Sequence, residues 1–174
     1  MSLLDEPGSS PRSRQAAGAL LATSARFGAM FSGCAPEIVD AVTRYGEKVG
    51  VAFQLADDVL DLVGDHADSG KTPGTDLREH VPTMPVLLLR RDVAAGTAPE
   101  GSDALLALLE GDLVADDSLA EAVRQLRVHP ATEQAREVAL HWADMAVASL
   151  APLPDLPATR ALAALAQALA DRPR

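Results

Sequence analysis

Aromatic residues and runs of β-branched residues are scarce in this sequence. Phe, Trp and Tyr together make up 3% of the chain, and the apolar content is mostly Ala, Leu and Val. Strong helix formers dominate the remainder. About half of the residues are apolar, as in globular proteins. The composition therefore predicts an all-α globular protein with few or no strands.

Basic residues are also few. The chain has 15 Lys and Arg against 25 Asp and Glu, which gives a formal net charge of −10. This balance argues against nucleic acid as a partner, because phosphate backbones are bound by basic patches. An acidic chain fits either an ordinary solvated surface or a site that holds cations.

Disulfides and long apolar runs are missing. Cys34 is the only cysteine, so no intrachain disulfide can form and a cytoplasmic location is compatible. No apolar run approaches the ~20 residues of a transmembrane helix. The N-terminal residues are rich in Ser, Pro and Arg and lack the apolar core of a signal peptide.

The chain divides into a short leader and a helical domain. Residues 1–13 are predicted to be a disordered leader, and residues 14–174 to form one domain without internal repeats. Proline and glycine punctuation separates the predicted helices. The opening of the fifth is set by Ser118 and Glu121, which have capping-box spacing. The helices are predicted at about 14–31, 36–62, 85–95, 102–110, 119–128, 131–150 and 158–170.

Three aspartates stand near the end of the second predicted helix. Asp57 and Asp61 are four residues apart, so both carboxylates lie on one helix face and repel each other. Large apolar residues flank them, which indicates partial burial, and buried carboxylates need a counter-charge. Mg²⁺ prefers a few carboxylates with waters and phosphates. The pattern D-D-x-x-D over Asp57, Asp58 and Asp61 fits a metal site, although a solvated acidic face remains the alternative.

A lysine on a glycine- and proline-rich loop follows the aspartates. Lys71 lies in the segment GKTPGTDL at 70–77, ten residues after Asp61. A diphosphate bound to a cation needs a mobile positive charge opposite the metal, and a loop lysine supplies one. The loop and the aspartates together predict a site for a metal-bound diphosphate.

Four ordered motifs point to a family. They are SARFGA at 24–29, YG followed by GVAFQ between 45 and 54, DDVLD at 57–61, and the 70–77 loop followed by TMP at 83–85. This set resembles the trans-type isoprenyl diphosphate synthases, the polyprenyl synthetase family, in their C-terminal half. The resemblance is clear from about residue 15 to 88 and weaker beyond. It implies a bundle of antiparallel helices around a deep apolar cavity.

The resemblance also implies a reaction and a metal. An allylic diphosphate loses its diphosphate with Mg²⁺ assistance, and the double bond of isopentenyl diphosphate attacks the allylic carbon. Asp57 would be a direct Mg²⁺ ligand, and Asp58 and Asp61 would hold metal-bound waters or support the ligand from behind.

Substrate-binding roles follow from the same resemblance. Gln54 and its neighbour Phe53 would line the allylic pocket, and Lys71 would bind the allylic diphosphate. Asp76 would orient Lys71 or a metal-bound water. Lys71 and Asp57 are the predicted catalytic pair.

The chain departs from the family pattern in three ways. The family has two aspartate motifs on facing helices, and this chain carries one; Asp112, Asp116 and Asp117 are better explained as capping residues in a turn. Ala16-Ala17 replaces a Lys-Thr pair that contacts diphosphate in the family. Val81 stands where many members have Lys.

These departures leave three hypotheses open. The chain is a prenyltransferase component whose partner supplies the first aspartate motif, in a homo- or hetero-oligomer. Alternatively, it is a non-catalytic regulatory or interaction subunit of a full-length synthase, or a truncated remnant. In each case we expect the isolated chain to be inactive.

Overall fold

The described part of the chain is built entirely from helices. The computed structural model describes residues 11–64 and 73–171, with side chains from residue 18 onward. No strand occurs within those ranges, which confirms the all-α prediction. The helices are α1 (Pro11–Phe31), α2 (Pro36–Val63), α3 (Thr75–Arg78), α4 (Met84–Ala95), α5 (Ser102–Glu110), α6 (Asp116–Val128), α7 (Pro130–Ser149) and α8 (Pro157–Ala170).

Helix contacts divide these elements into two compact units. The first spans Asp57–Ala135 and contains the end of α2, then α3 to α6. Its core is rich in leucine, because each of its short helices turns a leucine face inward, and α5 packs between α4 and α6. The most deeply buried of its large side chains are Leu62, Met84, Leu88, Leu89, Leu113 and Leu126.

The second unit contains α1, most of α2, most of α7 and α8, from Pro11–Ala56 and from Arg136 onward. Its core is rich in alanine, and Tyr45 is its largest buried side chain. The Tyr45 hydroxyl donates a 2.6 Å hydrogen bond to the Leu162 carbonyl, and burial raises the pKa of Tyr45 to about 12. This bond ties α2 to α8.

Small residues let α1 and α2 approach closely within the second unit. A methyl group added at Gly46 would lie 2.7 Å from the Ala22 Cα, which is a steric clash. The packed face of α1 is a stripe of small residues, Gly18, Ala22 and Ala29. Its large residues point the other way: Leu20, Phe27, Met30 and Phe31 are exposed, and Phe31 is 89% exposed.

Most predicted helices are present, with shifts at their ends. α5 matches its prediction, α2 and α8 differ by one residue at one end, and α7 differs by one residue at each end. α1 begins at Pro11, inside the predicted leader, whose residues 1–10 lie outside the described residues.

Two predictions about helix boundaries were wrong. α6 begins at Asp116, so Ser118 does not open it; Glu121 binds Arg124 and Gln125 instead of the helix start. α3 was predicted as loop. On α7 the fully buried stripe is alanine, with Trp142 and Met145 only half-buried beside it.

Among residues 11–64 and 73–171, none of the helices is long and apolar enough to cross a membrane.

Candidate functional site

The three aspartates occupy the last two turns of α2. Asp57 is exposed, Asp61 is half-buried and Asp58 is buried. The carboxyl end of a helix carries partial negative charge, so acidic residues there are unfavourable by ~0.3–1 kcal/mol each. α2 also has no basic residue in its last turn. The end of α2 therefore carries an excess of negative charge.

Asp58 points away from its two neighbours into the first unit. It is only 2% exposed, and its Oδ2 accepts a 2.9 Å hydrogen bond from the Met84 backbone N–H. Met84 is the first residue of α4, and the preceding residue, Thr83, makes no capping bond with its own side chain. Asp58 therefore satisfies and charge-stabilises the amino end of α4 from a distant helix.

Asp61 connects α2 to the chain after residues 65–72. Its backbone carbonyl accepts a 2.9 Å hydrogen bond from the Gly74 N–H, and its Oδ2 accepts one of 3.3 Å from the Asp76 N–H. Burial raises the pKa of the Asp61 carboxyl to about 6, and the carboxylates of Asp76 and Asp57 add to the rise. The Asp61 carboxylate is thus close enough to both of the others to be repelled by them.

This arrangement fits a divalent cation at Asp57 and Asp61. Oxygen ligands from carboxylates are what Mg²⁺ and Ca²⁺ prefer, and a cation would relieve the repulsion that raises the pKa of Asp61. Asp58 does not share this face, because its carboxylate is engaged at Met84. Within the described ranges, no group of three or more His, Cys, Asp or Glu side chains is arranged to hold a metal.

Gly74, the residue before α3, is tightly constrained in both backbone conformation and packing. Its φ is 78°, a left-handed value that favours glycine. A methyl group added there would lie 2.4 Å from Val123 Cγ2 and 3.1 Å from Leu119 Cδ1, both on α6. Glycine is therefore required twice over, for its backbone conformation and for the close approach of α6.

The remaining predicted site residues are placed as follows. Phe53 and Gln54 are half-buried and lie one turn before Asp57 on α2. Asp76 is half-buried in the first turn of α3, beside Asp61. Lys71 lies outside the described residues. The structure therefore brings together Asp57, Asp61 and Asp76.

Two contacts at this site carry no local sequence signal. Arg127, on α6, donates a 2.9 Å hydrogen bond from Nε to the Leu62 carbonyl near the end of α2. Asp58 reaches Met84 across 26 positions of sequence. Both pairings join residues far apart in the chain, so helix periodicity cannot reveal them.

A family model described as polyprenyl synthetase matches residues 11–126. The chain belongs to the polyprenyl synthetase family. The resemblance inferred from the motifs is confirmed, and the helical fold agrees with it.

Several polyprenyl synthetase relatives are similar to this chain. The nonaprenyl diphosphate synthase of Mycobacterium tuberculosis is 43% identical over 148 residues, covering 85% of this chain and 43% of that protein. The octaprenyl diphosphate synthase of Escherichia coli is 33% identical over 155 residues, covering 89% and 46%.

Solved structures of related synthases share the helical fold of this chain. The geranylgeranyl pyrophosphate synthase of Corynebacterium glutamicum, complexed with calcium and isoprenyl diphosphate, superposes with a TM-score of 0.79 at 34% identity. The match covers 91% of this chain and 48% of that one. This polyprenyl synthetase chain therefore spans less than half the length of the relatives described here.

Proposed function

We propose that this chain is the part of a polyprenyl diphosphate synthase that carries the second aspartate motif, and that it acts with a partner supplying the first. The observation that supports this best is that Asp57 and Asp61 share a face near the end of α2, where the Asp76 N–H of α3 lies 3.3 Å from Asp61 Oδ2. Carboxylates grouped in this way suit a divalent cation, and prenyl diphosphate chemistry uses one.

The relatives support the class of reaction. They are named as synthases of nonaprenyl and octaprenyl diphosphate. The Corynebacterium relative was solved with calcium and isoprenyl diphosphate, so that protein binds a divalent cation together with a prenyl diphosphate. By analogy, we propose allylic and isopentenyl diphosphates as substrates of this chain and Mg²⁺ as its cation.

Each residue of the proposed site has a separate task. Asp57, the exposed carboxylate, binds Mg²⁺ directly, and Asp61 shares that face. Asp76 holds the chain after residue 72 against Asp61 through its backbone N–H. Bound Mg²⁺ would neutralise the diphosphate as it leaves.

The substrate side belongs to other residues. Gln54 and Phe53 line the allylic pocket, and Lys71 binds the allylic diphosphate as a point charge. In the reaction, the bond between the allylic carbon and the diphosphate oxygen breaks, and the electron pair leaves with diphosphate. The double bond of isopentenyl diphosphate forms the new carbon–carbon bond, and a proton is lost.

A partner that carries the first aspartate motif is part of the proposal. The exposed face of α1 supports it. Leu20, Phe27, Met30 and Phe31 are all exposed, and the rings of Phe27 and Phe31 lie 6.1 Å apart, centre to centre. Contiguous exposed apolar surface of this kind marks interaction sites.

A regulatory subunit without activity of its own is the second candidate. Ala16-Ala17 supports it, since a Lys-Thr pair that contacts diphosphate in the family is replaced by two apolar residues. Such a chain would keep the fold and the partner contact while binding diphosphate weakly.

Calorimetry on the full 174-residue chain tests the site. We expect little heat with Mg²⁺ alone and clear binding of pyrophosphate when Mg²⁺ is present, because Mg²⁺ borrows phosphate oxygens as ligands. Asp57→Ala should abolish this binding. Asp40→Ala, another exposed carboxylate on α2, is the matched control and should bind as wild type. Mg²⁺ binding that survives Asp57→Ala would place the metal elsewhere.

A further inference from the structure

The carboxyl end of α2 obtains its hydrogen bonds from several parts of the chain. The last four carbonyls of a helix have no partner within it. Here the Leu60 carbonyl accepts the Gly64 N–H at 2.8 Å, and the Asp61 carbonyl accepts the Gly74 N–H at 2.9 Å. The Leu62 carbonyl accepts Nε of Arg127 at 2.9 Å. The final turn, which contains Asp61, is thus held by donors from outside the helix.

Arg127 is the one charged group among these donors. α2 has no basic residue in its last turn, where a cation would offset the negative end of the helix dipole. Three aspartates in that region make the deficit larger. A guanidinium hydrogen-bonded to the Leu62 carbonyl supplies both the missing donor and the missing positive charge.

The helix that carries Arg127, α6, also contacts Gly74, which lies just before α3. Val123 and Leu119 of α6 press against Gly74, the residue whose N–H binds the Asp61 carbonyl. α6 therefore contacts the chain just before the segment, through Arg127, and just after it, through Val123 and Leu119. Both contacts converge on the backbone of Leu62 and Asp61.

We propose that Arg127 is a positioning residue for the aspartate site. By binding the Leu62 carbonyl it fixes the last turn of α2, and so fixes the direction of the Asp61 carboxylate toward the cation. The proposal rests on the proposed function, because it assigns a supporting role to the same metal and diphosphate site.

The test compares two arginines of α6. Arg127→Met keeps the apolar stem and removes the donors and the charge. Arg124→Met is the matched control, because Arg124 is exposed one turn earlier on α6 and binds Glu121. Arg127→Lys restores a cationic donor. Binding of pyrophosphate in the presence of Mg²⁺ is measured for all three full-length variants, well below their melting temperatures.

We expect Arg127→Met to weaken binding roughly 10-fold, as loss of a supporting contact does at metal sites. Arg127→Lys should recover most of the affinity, and Arg124→Met should match wild type. Hydrogen exchange at residues 62–64 should speed up in Arg127→Met only. If Arg127→Met does not fold, Arg127→Gln, which keeps a shorter neutral donor, replaces it in the same comparison.

Two failures are distinguishable. Unchanged affinity in Arg127→Met, with binding lost in Asp57→Ala, overturns the positioning role and leaves the proposed function intact. No binding by the wild-type chain, or binding that Asp57→Ala retains, overturns the proposed function and the positioning role together.

Discussion

Neighbouring residues of the D-D-x-x-D motif do different work. Asp57 is exposed, whereas Asp58 is buried and accepts the Met84 N–H at the start of α4. A carboxylate in this position satisfies a buried donor and complements the helix dipole. The motif therefore combines a proposed cation ligand, Asp57, with a residue that caps α4, Asp58, and substitutions at the two should separate binding from stability.

The first prediction uses this separation. Asp58→Ala should lower the free energy of unfolding by about 2 kcal/mol, because a buried N–H loses a charged acceptor. Asp57→Ala should change it by less than about 0.5 kcal/mol, as exposed substitutions usually do. Urea titration followed by circular dichroism measures both. Equal effects of the two substitutions would contradict the assignment of Asp58 as the cap of α4.

The second prediction concerns Asp61 and pH. Burial, with repulsion from Asp76, raises the pKa of Asp61 to about 6 in the folded chain. A carboxyl whose folded pKa is raised stabilises the fold fully below its unfolded pKa of ~4, and that stability is lost as pH rises through the folded value. The cation-free chain should therefore lose stability between about pH 4 and 7.

Asp61→Asn should flatten that dependence, since the amide carries no charge and its oxygen still accepts the Asp76 N–H. Solvent screens the half-buried group, so we expect a gain of roughly 1 kcal/mol at pH 7, or about 2–4 °C in Tm. Asp40→Asn is the control. An unchanged slope of Tm against pH in Asp61→Asn would show that other groups cause it.

The pKa of His129 shifts in the opposite direction from that of Asp61. Its contribution to the pH dependence of stability must therefore be distinguished from that of Asp61. Its Nδ1 accepts the Ala131 N–H at 3.1 Å, and Nε2 lies 3.0 Å from Ser102 Oγ. Burial lowers the pKa of His129, although Asp92 opposes the shift. Stability from this group is present above its unfolded pKa and is lost as pH falls through the folded value. Asp61 and His129 therefore give slopes of opposite sign.

Spacing alone predicted some of this site and missed the rest. Asp57 and Asp61 were expected on one face from their i, i+4 relation, which is local geometry. The bonds of Asp58 to Met84 and of Arg127 to Leu62 depend on how helices far apart in sequence are packed. No periodicity encodes them, so a sequence cannot assign these two residues without the fold.

At the scale of helices, proline at a helix start was a reliable signal, whereas the capping-box spacing gave a wrong helix start. Pro36 opens α2 at its predicted start, because proline fits a first turn, whereas α8 begins at Pro157, one residue before its predicted start. The capping-box spacing at Ser118 was overridden, and Glu121 is used by Arg124 instead.

The third prediction concerns the junction of α3 and α6. Gly74→Ala should destabilise the fold by roughly 2–4 kcal/mol, from a left-handed backbone and from overlap with Val123. Gly96→Ala is the matched control, because Gly96 has a φ of 67° and nothing within 4 Å of an added methyl. It should cost only about 1 kcal/mol. The difference between the two, measured by urea titration, isolates the steric part.

A double variant checks that explanation. Val123→Ala removes the methyl group that an alanine at position 74 would meet. Gly74→Ala combined with Val123→Ala should therefore be less destabilised than the sum of the two single variants, by about 1 kcal/mol. Additive effects would mean that backbone strain alone makes glycine necessary at this position.

At the scale of the molecule, α1 has its small and large residues on opposite sides. Ala22 and Ala29 are buried within the second unit, whereas Phe27 and Phe31 are exposed. A surface helix usually turns its large apolar residues inward. On α1 the small residues are buried and the large ones are exposed, which fits a helix that packs on this chain with one face and on another polypeptide with the other. This supports our proposal that a second polypeptide takes part.

The fourth prediction follows from that proposal. The chain alone should show no measurable condensation of an allylic diphosphate with isopentenyl diphosphate. The leaving diphosphate must be held from two sides, and each lost electrostatic donor can cost ~10²–10³ in rate. Incorporation of labelled isopentenyl diphosphate into extractable product is the assay. A partner polypeptide carrying a first aspartate motif should restore turnover.

Variants then show whether the restored turnover uses this chain. It should fall sharply with Asp57→Ala or Lys71→Ala, which remove the proposed metal ligand and the proposed diphosphate charge, and stay unchanged with Asp40→Ala. Turnover should rise when Ala16-Ala17 is replaced by Lys-Thr, because two diphosphate-binding groups are added to a weak site. Robust turnover by the chain alone would sink the two-polypeptide proposal, since carboxylates from a second copy would then have to complete the site.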